Sequence, residues 1–318
     1  MSQHKRALVV GEALVDIRID KRAGAADAAE HAGGSPLNIA VGMARLGIDT
    51  TLAVQIGDDP RGDEIARHVA ASGVELLRLA PQRATSTAKA TIGPSGAATY
   101  DFDLTWDPHQ LPDPAGFALI HVGSIGAALP PGADRVAELV ADAARAGVPV
   151  SFDPNVRPGI TPDLHDVRRR CELLTPGASV VKLSDEDAET LWPGTGTGQV
   201  ARELAGLPRV RLAAVTLGGK GLLLDDGEDS VTVTAPSVEV ADTIGAGDTV
   251  MAAMLAALLD HDLLPAPVGG RGDIGGGASR LVWLGELAVA AAAITCSRPG
   301  ADPPWRSELS AIDSSPPD

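Results

Sequence analysis

Segments typical of β-strands alternate with segments typical of α-helices along most of the chain, and this alternation constrains the fold more than any other feature. Apolar runs bounded by turn residues indicate buried strands, and apolar residues recurring every three or four positions indicate amphipathic helices. Repeated strand–helix units predict a parallel sheet covered by helices on both faces. The predicted strands lie at 7–17, 51–57, 119–126, 148–155, 179–184 and 212–219, and the predicted helices at 35–47, 59–72, 133–146, 163–174, 185–192, 199–206, 246–260 and 280–296.

Two segments interrupt the alternation. Residues 85–104 alternate with a period of two around a Pro-Ser-Gly turn, which predicts a half-exposed antiparallel hairpin and a candidate lid. Residues 265–279 are rich in glycine and proline and are predicted to form a loop. With 318 residues, 44% of them hydrophobic, the chain is predicted to form one large domain with at most a small appendage.

Charge and apolar runs exclude several classes of protein. The formal net charge of −16 disfavours nucleic-acid binding, which needs a basic surface, and it means that a polyanion such as ATP must find local positive charge. The apolar run from Ala7 is interrupted by Glu12 and Asp16, and the run at 287–296 is too short to span a bilayer, so no membrane segment is predicted. Cys171 and Cys296 cannot make a disulfide framework, which favours a cytoplasmic protein with both cysteines packed as small apolar residues.

The segment 242–249 (DTIGAGDT) is the strongest candidate for chemistry. Gly245, Ala246 and Gly247 stand directly before an apolar helix, where small residues leave backbone N–H groups uncovered and the helix dipole adds positive charge. Such a turn could act as an anion hole for a transferring phosphoryl group, with Asp248 in the first turn of the helix. The alternative is a glycine turn followed by an aspartate that simply suits the dipole.

A second candidate is the segment 33–38 (GGSPLN). Gly33 and Gly34 allow close approach of a ligand to the backbone, and Asn38 lies one turn into the following helix, for which Ser35 is the predicted N-cap. Together with Asp16 at the end of the first strand, these residues suit the recognition of vicinal hydroxyls. Taken alone, the segment is explained as well by a capped helix after a glycine turn.

Further polar residues follow the later predicted strands. Each group has an ordinary interpretation as a helix cap, a solvated cluster or a turn, but carboxyl ends of parallel strands meet at one edge of a sheet. The groups are Asp153, Asn155 and Arg157 after one strand, Ser184 to Asp187 after the next, and residues 216–221 after the last. His121, inside an apolar strand, is predicted to be a hydrogen-bonded core residue rather than a ligand.

The two candidate segments resemble the two signatures of the ribokinase/PfkB family of carbohydrate kinases. They read GGSPLNIAVGMARLG (33–47) and DTIGAGDTVMAAML (242–255), in the order and at about the separation of the family. The intervening SFDPNVRP (151–158), VKLSDEDAETLW (181–192) and VTLGGKGLLL (215–224) also resemble family segments. The resemblance covers roughly residues 6–305 and is greatest to bacterial fructokinases.

The resemblance implies a ribokinase-like, three-layer α/β/α sandwich with a small β-sheet lid. The kinase domain would span 1–305, with lid segments at about 13–32 and 85–106, and a C-terminal tail at 306–318. It implies a cytoplasmic enzyme, a monomer or a homodimer through the lid, that transfers the γ-phosphoryl group of ATP to a sugar hydroxyl. Fructose is the implied sugar, Mg²⁺ the implied metal, and K⁺ a monovalent cation used by many members.

The resemblance also implies roles for individual residues. Asp248 would be the base that takes the hydroxyl proton, and the amides of Gly245, Ala246 and Gly247 the anion hole. The residues implied to bind the sugar are Asp16, Gly33, Gly34, Asn38 and Arg157. Those implied on the nucleotide side are Ser184, Thr216, Gly218 and Gly221, with Asp187 linked to Mg²⁺ and with Asp242 and Ile244 at the monovalent-cation position.

The lid leaves other acceptors open, because residues 99–107 (TYDFDLTWD) differ from the lid of well-known fructokinases. Ribose, 2-keto-3-deoxygluconate and a nucleoside are the alternatives within the same reaction. Phe102 and Trp106 could face the sugar or only pack the lid. A non-catalytic sugar-binding protein on the same scaffold is the alternative from another class, although the intact Gly-Ala-Gly-Asp segment argues against it. The glycine-rich stretch 269–278 is interpreted as an insertion with no assigned role.

Overall fold

The computed structural model describes residues 5–21, 27–80, 84–93, 98–264, 274, 276–309 and 315–317. The strands are β1 Arg6–Val10, β2 Leu14–Asp20, β3 Asp27–Gly33, β4 Asp49–Val54, β5 Glu75–Arg78, β6 Ser86–Ile92, β7 Ala98–Asp103, β8 Leu119–Gly123, β9 Val150–Asp153, β10 Val180–Ser184, β11 Leu212–Thr216, β12 Leu222–Asp225 and β13 Ser230–Val233. The helices are α1 Ser35–Arg45, α2 Pro60–Ala70, α3 Ser124–Ala128, α4 Gly132–Ala146, α5 Leu164–Leu174, α6 Asp185–Leu191, α7 Thr197–Ala205, α8 Ala246–Asp260 and α9 Gly277–Cys296.

Nine of the described strands form one sheet in the order β13-β12-β11-β10-β9-β8-β1-β4-β5. From β11 to β5 all neighbours are parallel, and β12 and β13 continue the sheet antiparallel. The chain builds outward from β1 in one direction through β4 and β5, and then returns to the other side of β1 with β8. Ligands of open α/β sheets bind where the strand order reverses in this way, so the gap beyond β1 and β8 is the expected site.

The sheet separates two layers of helices, as predicted. In β1 the side chains alternate: Ala7 and Val9 join a core with residues of α1, α8 and α9, whereas Leu8 and Val10 join a core with residues of α4 to α7. All four side chains are 0–1% exposed, as expected of a parallel strand covered on both faces. The three-layer α/β/α prediction is therefore confirmed.

A second, four-stranded sheet has the order β3-β2-β6-β7. The predicted hairpin is present, since β6 and β7 pair antiparallel, and β2 joins it by pairing parallel with β6. The prediction of one strand with an extension over 7–17 is wrong, because β1 and β2 belong to different sheets. In β2, exposed Asp16 and Arg18 alternate with buried Val15 and Ile17, the pattern of a strand with one solvated face.

Helix α9 contains the C-terminal apolar run and is longer than it. The run at 287–296 is by itself too short to span a bilayer, but the whole helix Gly277–Cys296 has 20 residues and is long and apolar enough to do so by length and composition. Since 61% of its apolar window is buried inside the fold, α9 has the character of a core helix packed beside α8.

Residues near the predicted loop and tail also pack on the core. Most of the glycine-rich segment 265–279 lies outside the described residues, but Ile274 is buried and α9 begins at Gly277. In the segment assigned to the tail, residues 306–308 form a helical turn and Leu309 is 2% exposed. Cys171 is buried as expected, whereas Cys296 is only partly buried.

Candidate active site

The first turn of α8 contacts the first turns of α1, and this contact brings the two candidate segments together. Asp248 Oδ1 accepts a hydrogen bond from Ser35 Oγ at 2.6 Å, and Oδ2 accepts one from Asn38 Nδ2 at 2.8 Å. Ser35 and Asn38 are buried, and Asp248 is half-buried. Both oxygens of one carboxylate thus accept hydrogen bonds from residues that are 213 and 210 positions away in the sequence.

Ser35 has a different role from the predicted one. The N-cap of α1 is Gly34, with φ of 112°, and no side chain caps the helix, so the assignment of Ser35 as N-cap is wrong. The Ser35 hydroxyl points instead to Asp248. Gly34 cannot be replaced without strain, because a Cβ there would lie 2.8 Å from Glu12 O and its φ is in the left-handed region.

The turn before α8 has the geometry of a helix N-terminus open to an anion. Gly245 is the N-cap with φ of 74°, and a Cβ on it would lie 2.6 Å from Ala301 Cβ. The N–H of Ala246 is used within the turn, donating to Thr243 O at 3.3 Å. The N–H groups of Gly247 and Asp248 belong to the first turn, where a helix has no internal acceptors for them. Of the three residues predicted to form the anion hole, Ala246 is therefore the least available.

Asp16 and Gly33 lie side by side on the small sheet, close to the start of α1. A Cβ on Gly33 would lie 2.3 Å from Asp16 Oδ2, so only a glycine at position 33 leaves room for the Asp16 carboxylate. The Asp16 side chain is accessible to solvent, but partial burial by the surrounding protein raises the pKa of its carboxyl group. The positive charges of His31 and Arg157 act in the opposite direction and lower that pKa. A side chain that is both accessible and partly desolvated, as Asp16 is, is typical of the wall of a cleft. Arg157, which is exposed, is close enough to act on Asp16 electrostatically.

The predicted nucleotide-side residues lie at the ends of β10 and β11. Ser184 and Thr216 are partners in the parallel register, and the turn Gly218–Lys220 follows. A Cβ on Gly221, with φ of 115°, would lie 1.9 Å from Val233 O, so this glycine is required by the approach of β13. By contrast, a Cβ on Gly218 would meet no atom within 4 Å, which leaves open space beside this turn.

Asp187 is engaged by backbone groups. Its Oδ1 accepts the Val156 N–H at 2.8 Å, and its Oδ2 accepts the Ser184 N–H at 3.0 Å, while Ser184 Oγ accepts the Asp187 N–H in return. This is a capping box at the start of α6. Among the described residues no group of three or more His, Cys, Asp and Glu side chains is arranged to bind a metal.

Asp242 braces the loop before α8. Its Oδ1 accepts the Ile244 N–H at 3.0 Å, and its Oδ2 accepts the Gly300 N–H at 3.0 Å. Burial alone would raise the pKa of Asp242, but these backbone N–H groups hold it below its ordinary value, so the carboxylate is ionised. The side chain of Ile244 is 57% exposed.

Sequence reasoning missed Glu12, which lies at the reversal point between β1 and β8. Its Oε2 accepts the Gly126 N–H at 2.8 Å, and the side chain is 6% exposed. Burial raises the pKa of Glu12 to about 7, although hydrogen bonds from Ser124 and Gly126 oppose the shift, and Asp248 adds to it. The signal in the sequence was a carboxylate directly after the first strand, which was interpreted only as a break in an apolar run.

Sequence reasoning also missed a buried ion pair, Lys182 with Asp153. Lys182 Nζ lies 2.7 Å from Asp153 Oδ2, and the two side chains are 5% and 2% exposed. The signal was a lysine inside the otherwise apolar strand VVKLS. His121 behaves as predicted: it is buried, its Nδ1 lies 2.9 Å from Ser151 Oγ, and burial lowers its pKa to about 3, with Lys182 contributing.

The lid aromatics divide between two roles. Trp106 is 2% exposed and donates its indole N–H to Gly126 O at 2.8 Å, so it packs beneath the site. Phe102 is partly exposed and stacks on Tyr100, with centroids 6.2 Å apart. Phe102 also faces Gly159, where a Cβ would lie 3.8 Å from its ring. Of Phe102 and Trp106, only Phe102 has an exposed surface, and its neighbour Tyr100 is 67% exposed.

Comparison with known proteins identifies the family and supports the fold. The model of the pfkB family of carbohydrate kinases matches residues 4–308. A fructokinase of Klebsiella pneumoniae is 33% identical over 268 residues, covering 80% of this chain and 85% of that protein. The crystal structure of a Xylella fastidiosa fructokinase with bound ATP aligns with a TM-score of 0.82 and 24% identity, covering 98% of each chain. An aminoimidazole riboside kinase from Salmonella enterica aligns with a TM-score of 0.76 and 22% identity, covering 98% of this chain and 100% of that one.

Proposed function

Because the chain belongs to the pfkB family of carbohydrate kinases, we propose that it transfers the γ-phosphoryl group of ATP to a hydroxyl of fructose. The observation that carries the proposal is the Asp248 carboxylate, held by Ser35 and Asn38 beside the open first turn of α8. The choice of fructose is supported by the similarity to a curated fructokinase at 33% identity.

Asp248 is proposed as the proton acceptor. Phosphoryl transfer needs little covalent help from a protein, so catalysis depends on placing the hydroxyl in line and on stabilising charge. Ser35 and Asn38 fix both carboxylate oxygens, which leaves the remaining lone pairs of Asp248 to accept the hydroxyl proton. The N–H groups of the first turn of α8, chiefly those of Gly247 and Asp248, would receive the charge on the transferred group.

The sugar is proposed to lie between the small sheet and α1. Asp16 and Gly33 form one wall, and Gly34 brings the backbone close at the start of α1. A carboxylate that accepts two vicinal hydroxyls suits a neutral sugar, and Arg157 stands close enough to balance the charge. Asn38 Nδ2 donates one hydrogen bond to Asp248, so Asn38 would contact the sugar through the remaining donor and acceptor of its side-chain amide.

The nucleotide is proposed to lie over the ends of β10 and β11, where Ser184, Thr216 and the open turn at Gly218 meet. Gly221 would act there through the hairpin that it permits, not through a contact. Mg²⁺ bound to the phosphates would shield their charge. Asp187 fits an outer contact with such an ion, because Mg²⁺ keeps several waters and both Asp187 oxygens already accept backbone N–H groups. The Asp242–Ile244 loop is retained as the proposed monovalent-cation position.

The acceptor is tested by measuring ADP release with Mg·ATP and K⁺ present. Fructose is expected to give the highest kcat/KM in a panel with ribose, glucose, 2-keto-3-deoxygluconate and adenosine. A nucleoside is the second candidate, because Phe102 offers an aromatic face on the lid that could stack on a base. Higher kcat/KM with adenosine than with fructose would replace the fructose proposal. Sugar binding without ADP release for every compound would indicate a non-catalytic protein.

The hydrogen bond from Ser35 gives a graded test of the site. Ser35→Ala is expected to lower kcat about tenfold, because a hydrogen bond to a charged group is worth about 1.5–3 kcal/mol and part of it is regained from water. Ser72→Ala is the matched control: Ser72 is also buried, and its hydroxyl accepts from Arg45 Nε at 3.0 Å away from the site. Equal kcat values for the two variants would argue against a role for Ser35 in holding Asp248.

A further inference from the structure

Lys182 lies in the interior of the molecule with its charge retained. It occupies the middle of β10, with Val181 and Leu183 buried on either side of it. Burial by itself would lower the pKa of Lys182, but the carboxylate of Asp153, helped by Asp248 and Asp187, holds it above its ordinary value. The ammonium is therefore charged, and Asp153 Oδ2 lies 2.7 Å from it.

A buried ion pair of this kind is a poor way to stabilise a fold. Removing two charges from water costs several kcal/mol per ion, and well-packed apolar residues of similar volume are often as good or better. Val181 and Leu183 on β10 and Ala214 opposite Lys182 on β11 are buried apolar residues, whereas His121 and Ser151 on neighbouring strands are buried polar ones. Because buried ion pairs in general add little to stability, the important question is which groups the Lys182 charge faces.

The Lys182 ammonium faces the first turn of α8. A Cβ placed on Gly247 would meet Lys182 Nζ at 3.5 Å, and that is the nearest atom it would meet. The charge of Asp248 acts on Lys182, and also on Glu12 and Asp153. Lys182 is thus a cation near three carboxyl groups, those of Asp153, Asp248 and Asp187, and it lies below the backbone that is proposed to receive the phosphoryl group.

We propose that Lys182 is a positioning residue for phosphoryl transfer: its ammonium, held in place by Asp153, supplies positive charge beneath the Gly247 turn. This inference rests on the proposed function. The buried cation adds to the field of the helix N-terminus at a point where water cannot screen it, so its effect is greater than that of a surface lysine. The Lys182 ammonium offsets the negative charge of the phosphoryl group and of Asp248 when both lie at the first turn of α8.

The test separates charge from structure by removing the pair in two ways. Lys182→Met alone leaves a buried carboxyl without its partner, so it is expected to lower Tm as well as kcat. The double variant Lys182→Met/Asp153→Asn removes both charges at similar volume and is expected to recover most of the Tm. In the double variant kcat is expected to stay about 100-fold below that of the native chain, with the KM for the sugar changed less than threefold.

Arg170→Met is the matched control. Its guanidinium is also nearly buried, with a side chain 9% exposed, and it pairs with Asp134 and Asp166 at 2.9 Å on α4 and α5, away from α8. This variant is expected to lower Tm while leaving kcat near the native value. A double variant at Lys182 and Asp153 with near-native kcat would overturn the inference and leave the proposed function standing. Absence of ADP release from the native chain with every sugar would overturn both.

Discussion

Replacing Asp248 by asparagine is expected to lower kcat about 1,000-fold while leaving the fold intact, because a positioned general base contributes about 10²–10⁴-fold. Asparagine has nearly the same shape, and its carbonyl oxygen can still accept one of the two hydrogen bonds from Ser35 and Asn38. It cannot take up the hydroxyl proton. The loss is therefore expected in kcat, with the KM for the sugar and for ATP within a few-fold of native.

The measurement is steady-state ADP release, with Tm recorded for the same preparations. Asp63→Asn is the matched control, since Asp63 also lies in the first turn of a helix but its side chain is 71% exposed and faces Arg78. The control is expected to keep native kcat. An Asp248→Asn variant that retains more than a tenth of native kcat would show that another group takes the proton.

Replacing Glu12 by glutamine is expected to remove a large pH dependence of stability. The pKa of Glu12 in the folded protein is about 7, above its ordinary value of 4.5, with burial as the main cause. Between these two values the folded chain holds a proton that the unfolded chain releases, so the free energy of unfolding falls as pH rises from about 4.5 to about 7. The full cost is reached above pH 7 and amounts to about 3 kcal/mol.

Glutamine keeps an acceptor for the Gly126 N–H without this proton linkage. Urea unfolding of Glu12→Gln is expected to give higher stability than the native chain at about pH 8, by as much as about 3 kcal/mol, and nearly equal stability at about pH 4. Asp153 contributes a smaller slope of the same sign in both chains, because burial raises its pKa to about 6 despite Lys182. The control is Glu138→Gln, whose side chain is 61% exposed. A variant less stable than native at about pH 8 would contradict the conclusion that burial destabilises the charged form of Glu12.

The architecture was predictable because strand–helix alternation is recorded locally. Apolar runs and helical spacing indicate which face of each element is buried. For example, α8 begins at Ala246 and ends at Asp260, as predicted. The prediction failed at 7–17, where the apolar pattern continues although the chain leaves one sheet for another. Gly11 lies where the chain leaves the first sheet, and a Cβ on it would lie 2.5 Å from Pro36 Cγ. This close approach to a distant residue cannot be predicted from the local sequence pattern.

For the site, the sequence by itself determined which segments are candidates for chemistry, since small residues before a helix can receive an anion wherever they occur. Only the tertiary structure decided that Ser35 and Asn38 hold Asp248, that Glu12 is buried beside it, and that Lys182 lies under Gly247. These contacts join residues on different strands and helices, and they depend on the order of strands in the sheet. Periodicity along one element carries no information about that order, so the partners of a charged residue are known only once the layers have packed.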